Sequence, residues 1–197
     1  MNIIIHPPHN EWSALLQRPA MDHSMLEAAV LEVLNNVKQN GDKALVEFTQ
    51  RFDGVLLKNI KVSDVEIAAA EQELTTELKA AIAQAKENIE RFHAAQVQPV
   101  VKVETMPGVQ CWRKSIGIEK VGLYIPGGSA PLFSTVLMLG IPAVLAGCRE
   151  IILCTPPGKD GNIHPAVLYA AKVAGITQVY KAGGAQAIAA MAYGTET

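Results

Sequence analysis

From Val121 onward, a short apolar run, a turn rich in glycine or proline and a helix-like stretch follow one another three times. The runs are Val121–Ile125, Glu150–Cys154 and Gln178–Lys181. Their turns are Pro126-Gly127-Gly128-Ser129, Pro156-Pro157-Gly158 and Gly183-Gly184. Near-continuous apolar runs suit strands covered on both faces, and a helix after each strand returns the chain for parallel pairing. The spacing therefore predicts an α/β chain whose parallel sheet has crossover helices. Those helices run from about Phe133 to Ala146, from Pro165 to near Gly175, and from Ala185 onward. Pro165 suits a first helical position, where its missing N–H costs nothing. Gly147 closes the first of these helices.

Up to Gly117 the pattern is mainly helical. Leu26, Ala29, Val30, Val33, Leu34 and Val37 recur at helical spacing. Gly41 suits the end of that helix, because glycine takes a left-handed backbone cheaply. A second helix follows from Asp42, with Leu45, Phe48 and Phe52 inward, and ends near Gly54. Ser63-Asp64-Val65-Glu66 fits a capping box. After a break near Thr75, a long helix carries Leu78, Ile82, Ala85, Ile89 and Phe92 on one stripe and ends by Pro99. Val100–Glu104 and Val109–Lys114 read as short strands around Met106-Pro107-Gly108. The pattern changes between residues 117 and 121. This divides the chain into a helical region with a few short strands (1–119) and a sheet region (120–197).

No charged residue occurs between Val121 and Cys148. A membrane span needs about 20 unbroken apolar residues. Pro126, Gly127, Gly128, Pro131 and Pro142 interrupt this one, so it reads as strand, tight loop and buried helix. The 197 residues are 49% hydrophobic, enough for a sizeable core, and the formal charge is −2. No basic stripe interleaved with aromatics is present, which argues against nucleic acid. Cys111, Cys148 and Cys154 are too few, and odd in number, for a disulfide framework. Reduced thiols in the cytoplasm are the simple reading. The segment Met1-Asn2-Ile3-Ile4-Ile5-His6 does not read as a signal peptide.

Ligands of parallel sheets bind at the carboxyl ends of the strands, where both glycine pairs fall. Pro126-Gly127-Gly128-Ser129 is either a nucleotide or anion site, with backbone N–H groups offered by the next helix, or a tight turn. It is not Gly-x-Gly-x-x-Gly, so the ordinary dinucleotide fingerprint is absent. Gln186 falls in the first turn of the last helix. Its amide either bonds a ribose or nicotinamide, or is solvated. Tyr124, ending its strand, either contacts a cofactor or is a half-buried core aromatic.

His6, His9, His23, His93 and His164 show no metal-ligand spacing, which points to surface or capping roles. Cys148 follows a helix end, where the dipole disfavours a thiolate. Cys154 is the better nucleophile candidate by position, with a small buried residue as its simpler reading. The residues by themselves give a ligand-binding α/β unit joined to helices, and no reaction.

Several longer runs resemble one family. The run Val121-Gly122-Leu123-Tyr124-Ile125-Pro126-Gly127-Gly128-Ser129, continuing to Met138, is similar to a signature of histidinol dehydrogenases. So is Gly183-Gly184-Ala185-Gln186, continuing to Tyr193-Gly194-Thr195-Glu196. Gly41-Asp42-Lys43-Ala44-Leu45, Phe52-Asp53 and Pro107-Gly108-Val109 are similar as well. The resemblance implies incomplete Rossmann-like domains, a homodimer, and oxidation of L-histidinol through the aldehyde to L-histidine, the last step of histidine biosynthesis. It implies two NAD used in succession and a zinc ion at each site. Tyr124 and Gln186 match positions that contact NAD. The family's zinc ligands and its proton-transferring Glu–His pair match nothing here. The expectation is thus no catalytic residue and no metal ligand in this chain, and no turnover by it alone.

The competing expectation is a noncatalytic nucleotide-binding or dimerisation module. An aldehyde-dehydrogenase-like protein is the third, and would need a cysteine nucleophile. Because the chain stops about a turn after a helix starts, with no capping or polar tail, and the sheet would lack its remaining strands and keep an unpaired edge, a truncated dehydrogenase is expected over a free-standing module.

Overall fold

The computed structural model describes residues 4–18, 24–128, 130–176 and 178–197. Ser129 of the first glycine turn and His23 lie outside the described residues. After a short 3-10 turn, α1 (Trp12–Leu15) precedes five elements of the helical region and hairpin: α2 (Ser24–Asp53), α3 (Asp64–Glu73), α4 (Thr76–Ala94) and the strands β1 (Lys102–Met106) and β2 (Val109–Trp112). Then come β3 (Lys120–Tyr124), α5 (Phe133–Leu145), β4 (Glu150–Thr155), α6 (Pro165–Val173), β5 (Gln178–Lys181) and α7 (Gly184–Tyr193).

β3, β4 and β5 form a parallel sheet in that order, with Leu123 beside Leu153 and Leu153 beside Val179. The chain is therefore α/β, with a helical segment before a parallel sheet whose strands are joined by crossover helices. Side chains alternate across the sheet, as a period of two requires. Val121, Leu123, Ile151, Leu153 and Val179 point into a core shared with α3, α4, α5 and α6. Tyr124, Cys154 and Tyr180 point the other way, toward Ala187 and Met191 of α7. α2 packs outside α7, through Val33, Val37, Ala44, Leu45 and Phe48 against Ala189. Leu153 and Val179 are fully buried; truncating such a leucine to alanine costs about 2–5 kcal/mol.

Local signals explain most element ends. Ser63 and Glu66 form the capping box that opens α3, and Thr75 caps α4 through the Leu78 N–H. Gly147 (φ 79°) follows α5, and Gly175 (φ 86°) follows α6. α2 leaves helical geometry at Gly41 (φ 49°, ψ −129°) and restarts at once.

The structure corrects three expectations. Phe52 is 55% exposed, stacked on Phe48 rather than buried, and Phe92 is 65% exposed beside His93. Both lie toward the ends of their helices, beyond the neighbours that would cover them. α4 stops at Ala94, where a helical turn at Ala95 closes it, ahead of Pro99. β1 lies two residues later than expected, whereas β2 starts at Val109 as expected and ends two residues early, with Gly108 (φ 80°) at the turn and its N–H donating to Glu104 Oε1 at 2.9 Å. Among the described residues β3 pairs with β4 alone, so the sheet keeps an open edge there, while the outer edge of β5 is partly covered: Lys61 bridges Tyr180 in antiparallel fashion. There Val62 N–H donates to Val179 O at 2.9 Å and Lys181 N–H to Ile60 O at 2.8 Å.

No helix among the described residues is long and apolar enough to cross a membrane. The uncharged stretch becomes β3, a loop, and α5, whose Val136, Leu137, Gly140 and Ile141 are buried.

Candidate nucleotide-binding cleft

The loops after β3, β4 and β5 meet at the carboxyl edge of the sheet. Pro156 is wedged between the other two. A Cβ on Gly127 would stand 2.6 Å from Pro156 Cγ, and one on Gly183 would stand 2.7 Å from Pro156 Cβ. These two glycines are thus required by loop packing, the plainer of the two readings of a glycine turn. Gly128 differs, since no described atom lies within 4 Å of where its Cβ would be.

Tyr124 and the second glycine turn come together here. The Gly184 N–H donates to Tyr124 Oη at 3.0 Å. The ring of Tyr124 packs against the cluster of Cys154, Ala182 and Ala187. Tyr124 is therefore a half-buried aromatic whose hydroxyl also reaches the cleft. Gly184 has φ 59°, and a Cβ there would lie 2.6 Å from Gln186 Oε1. Gln186, in the first turn of α7, is only 1% exposed. That overturns the reading of Gln186 as a solvated side chain: the turn folds over it and the helix buries it.

Beside these residues lies a cleft of about 840 Å³, bounded by Tyr124–Gly128, the Pro156-Pro157-Gly158 loop, α3 and the start of α6. That volume is within the range of about 300–1,000 Å³ usual for ligand sites. Asp53, Glu66, Glu73 and Asp160 line it, together with His164, and the described lining residues include no Lys or Arg. A phosphate there would be met by backbone N–H groups rather than by cations.

Two of the carboxylates are perturbed in opposite directions. Burial raises the Asp53 carboxyl above its ordinary value, and its Oδ2 is buried without a partner among the described residues. Desolvation also pulls at Glu66, but hydrogen bonds from Lys181 and Ser63 outweigh it and hold that carboxyl below the ordinary value. His164 Nδ1 accepts the Ala166 N–H at 3.1 Å and so caps α6 at the cleft wall. His9 stacks on Trp12, and His93 pairs with Gln96. Cys154 is 3% exposed, with its thiol pushed up to about 12 by burial, as fits a small core residue. Among the described residues, no three His, Cys, Asp or Glu side chains come together as a metal site.

Sequence reasoning placed Tyr124, Gln186 and the glycine turns at one edge. It missed Asp53, the Pro156 wedge and the Lys181–Glu66 pair. The capping box gave Glu66 a role in α3, but no local signal links it to Lys181, 115 residues away.

Comparison with known proteins adds the family. A family model described as histidinol dehydrogenase matches residues 16–197. A protein named histidinol dehydrogenase from Bacteroides thetaiotaomicron is 57% identical over 197 residues, covering 100% of this chain and 46% of its own length. One from Yersinia pestis is 55% identical over 185 residues, 93% of this chain and 41% of its own. The crystal structure of histidinol dehydrogenase from Elizabethkingia anophelis superimposes with a TM-score of 0.90 at 54% identity, covering 97% of this chain and 44% of that one. The chain thus spans under half the length of the relatives it matches. A match by the family model across nearly the whole chain, with identities above one half and the same backbone, has one reading: the chain belongs to the histidinol dehydrogenase family.

Proposed function

We propose that this chain forms the NAD-binding part of an enzyme that oxidises L-histidinol, through the aldehyde, to L-histidine. The observation that carries the reading is the hydrogen bond from Gly184 N–H to Tyr124 Oη. It joins the two longest family-like runs at the edge of a cleft of suitable size. On this reading the chain divides near residue 119: residues 120–197 hold the cofactor, and the preceding helices buttress that unit. The longer protein works as a homodimer in the cytoplasm.

NAD, when bound, supplies the hydride acceptor. The chain's own residues bind and orient it. Tyr124 accepts from Gly184, so its O–H proton remains free to donate into the cleft. The Gln186 amide, buried close to Gly184, supplies polar groups for the ribose or nicotinamide at the start of α7. The open backbone at Gly128 admits a phosphate without a side chain in the way. The described residues do not fit a zinc site, so no step is assigned to zinc here. On this reading the zinc ligands and proton-transferring groups lie outside this chain, which then does not turn over L-histidinol alone.

The test is calorimetric titration of the purified chain with NAD, alongside an assay with L-histidinol, NAD and zinc. Saturable binding that weakens with Gln186→Ala, with no turnover, is the expected result. Turnover would overturn the placement of the catalytic groups. No binding by the folded chain would overturn the assignment of the cleft.

A further inference from the structure

Two family-like runs lie away from the cleft: Gly41-Asp42 in α2, and Gly194-Thr195-Glu196 after α7. The fold brings them into contact. Because α2 breaks at Gly41, the helix that restarts at Asp42 has a fresh N-terminus with unsatisfied N–H groups. The Asp42 N–H donates to Glu196 Oε2 at 2.8 Å, and Thr197 Oγ1 donates back to Asp42 Oδ1 at 3.0 Å. An anionic acceptor is favoured at that end of a helix. The hydrogen bond from Asp42 holds the Glu196 carboxyl below the usual range. A side chain at position 41 would overlap the Glu196 carboxylate. Gly41 is therefore favoured by its positive φ, and a Cβ there would push the Glu196 carboxylate off the Asp42 N–H.

α7 is the rigid link between this contact and the cleft. It begins at Gly184 and ends at Gly194 (φ 81°), after which the chain turns back to Gly41. Along its length it packs on α2, with Ala189 in the α2 core and Lys38 Nζ 5.4 Å from the Tyr193 ring centroid. The ten-residue helix is about 15 Å long. At its far end, the 3.0 Å bond between Gly184 and Tyr124 is lost by a slide of only about 0.6 Å, since a contact at about 3.6 Å is no longer a hydrogen bond. Packing of α7 on α2 restrains the helix along its length, and the cap at Asp42 adds a directional restraint at the end opposite Gly184.

We infer that Glu196 is a positioning residue: by capping the helix that restarts at Asp42, it sets the register of α7 on α2 and keeps Gly184 within reach of Tyr124. Its consequence for cofactor binding rests on the NAD reading above; the mechanical coupling does not.

The experiment measures amide hydrogen exchange, residue by residue, in the 197-residue chain and in Glu196→Ala, Glu196→Gln and Gly41→Ala, with an NAD titration of each. In Glu196→Ala, exchange at Asp42 should rise roughly tenfold and exchange at Gly184 should rise with it, while Leu153 in β4 stays protected. Glu196→Gln keeps an acceptor oxygen and should restore Gly184 toward the parent. Gly41→Ala should repeat the alanine phenotype, and NAD affinity should fall about fivefold or more wherever Gly184 is released. Faster exchange at Asp42 with Gly184 unchanged would overturn the proposal, leaving a local cap. If the parent binds no NAD but Gly184 still responds, the cofactor reading fails and the positioning role stands. If Gly184 exchange and NAD binding are both unchanged in all variants, the positioning role fails and the cofactor reading stands.

Discussion

Lys181 Nζ lies 2.5 Å from Glu66 Oε1, joining the end of β5 to the first turn of α3. The other oxygen of the same carboxylate accepts from the Ser63 N–H at 2.8 Å and from the Ser63 hydroxyl at 2.9 Å. One side chain thus closes a helix cap, lines the cleft and neutralises a lysine that is only 8% exposed. The partners are unequally buried, with side-chain exposures of 9% for Lys181 and 33% for Glu66.

That inequality predicts unequal substitutions. Glu66→Gln strands an ammonium that water barely reaches, whereas Lys181→Met leaves a carboxylate that still meets solvent and still caps α3. Removing one partner of a fully buried pair costs about 3–5 kcal/mol. Partial exposure brings Glu66→Gln to about 2 kcal/mol and Lys181→Met to about 1 or less. At about 2–4 °C per kcal/mol for a chain of this size, thermal unfolding should rank parent, Lys181→Met, Glu66→Gln. Equal melting temperatures for the two variants would contradict the asymmetry.

Asp53 and Glu66 predict opposite dependences on pH. Glu66 titrates lower folded than unfolded, so its stabilisation is complete above the ordinary 4.5 and is lost as pH falls through the lower folded value. Asp53 titrates higher folded than unfolded. Its ionisation therefore destabilises the fold as pH rises from the ordinary 3.8 through the raised folded value, and the cost persists above it. Asp53→Asn removes that cost and should raise the melting temperature at pH 7 by about 1–2 °C, solvent screening keeping the gain small. At pH 3 the carboxyl is protonated in both states and the gain should vanish. A loss at pH 7 would show that the charge is needed in the fold.

The elements that could be read from sequence are those whose signals are local. The runs that became β3, β4 and β5, the capping box at Ser63 and Glu66, and the glycines after α5 and α6 each announce themselves within a few residues. Tyr124 and Gln186 were placed correctly along the chain for the same reason. What could not be read depends on residues far apart. The short pairing of Ile60–Val62 on β5 carries only a two-residue alternation, too little to mark a strand. The exposure of Phe52 and Phe92 is set by where neighbouring helices stop, which periodicity does not encode. Asp42 and Glu196 are 154 residues apart, so the reason for glycine at position 41 is only half visible in the α2 pattern.

His164 tests whether the cleft wall depends on a helix cap. Its Nδ1 accepts the Ala166 N–H, with Pro165 between them at the first helical position. His164→Ala removes the acceptor and should lower stability by about 1 kcal/mol, whereas His164→Asn, itself a good cap, should recover most of it. Urea unfolding distinguishes the two through the transition midpoint, with an unchanged slope showing that the same surface is exposed. Equal losses in both variants would mean that the ring packs at the cleft wall rather than caps α6.

Gly127 and Gly128 separate packing from ligand access, because adjacent glycines in one turn meet different surroundings. A methyl group on Gly127 would press on Pro156, and Pro156 is also pinned by Gly183. The proline ring cannot swing aside as a flexible side chain would, so Gly127→Ala should cost about 1–3 kcal/mol through forced displacement of the loop. Gly128→Ala meets no described atom and should leave the melting temperature within about 1 °C of the parent. Its methyl group would instead enter the cleft that Gly128 lines. If NAD lies along that backbone, Gly128→Ala should weaken its binding about tenfold, an effect on affinity without one on stability. Calorimetric titration and thermal unfolding of the two variants provide the comparison. Unchanged NAD affinity in Gly128→Ala would move the cofactor away from this turn, and an unaffected melting temperature in Gly127→Ala would remove the Pro156 wedge as the reason for glycine there.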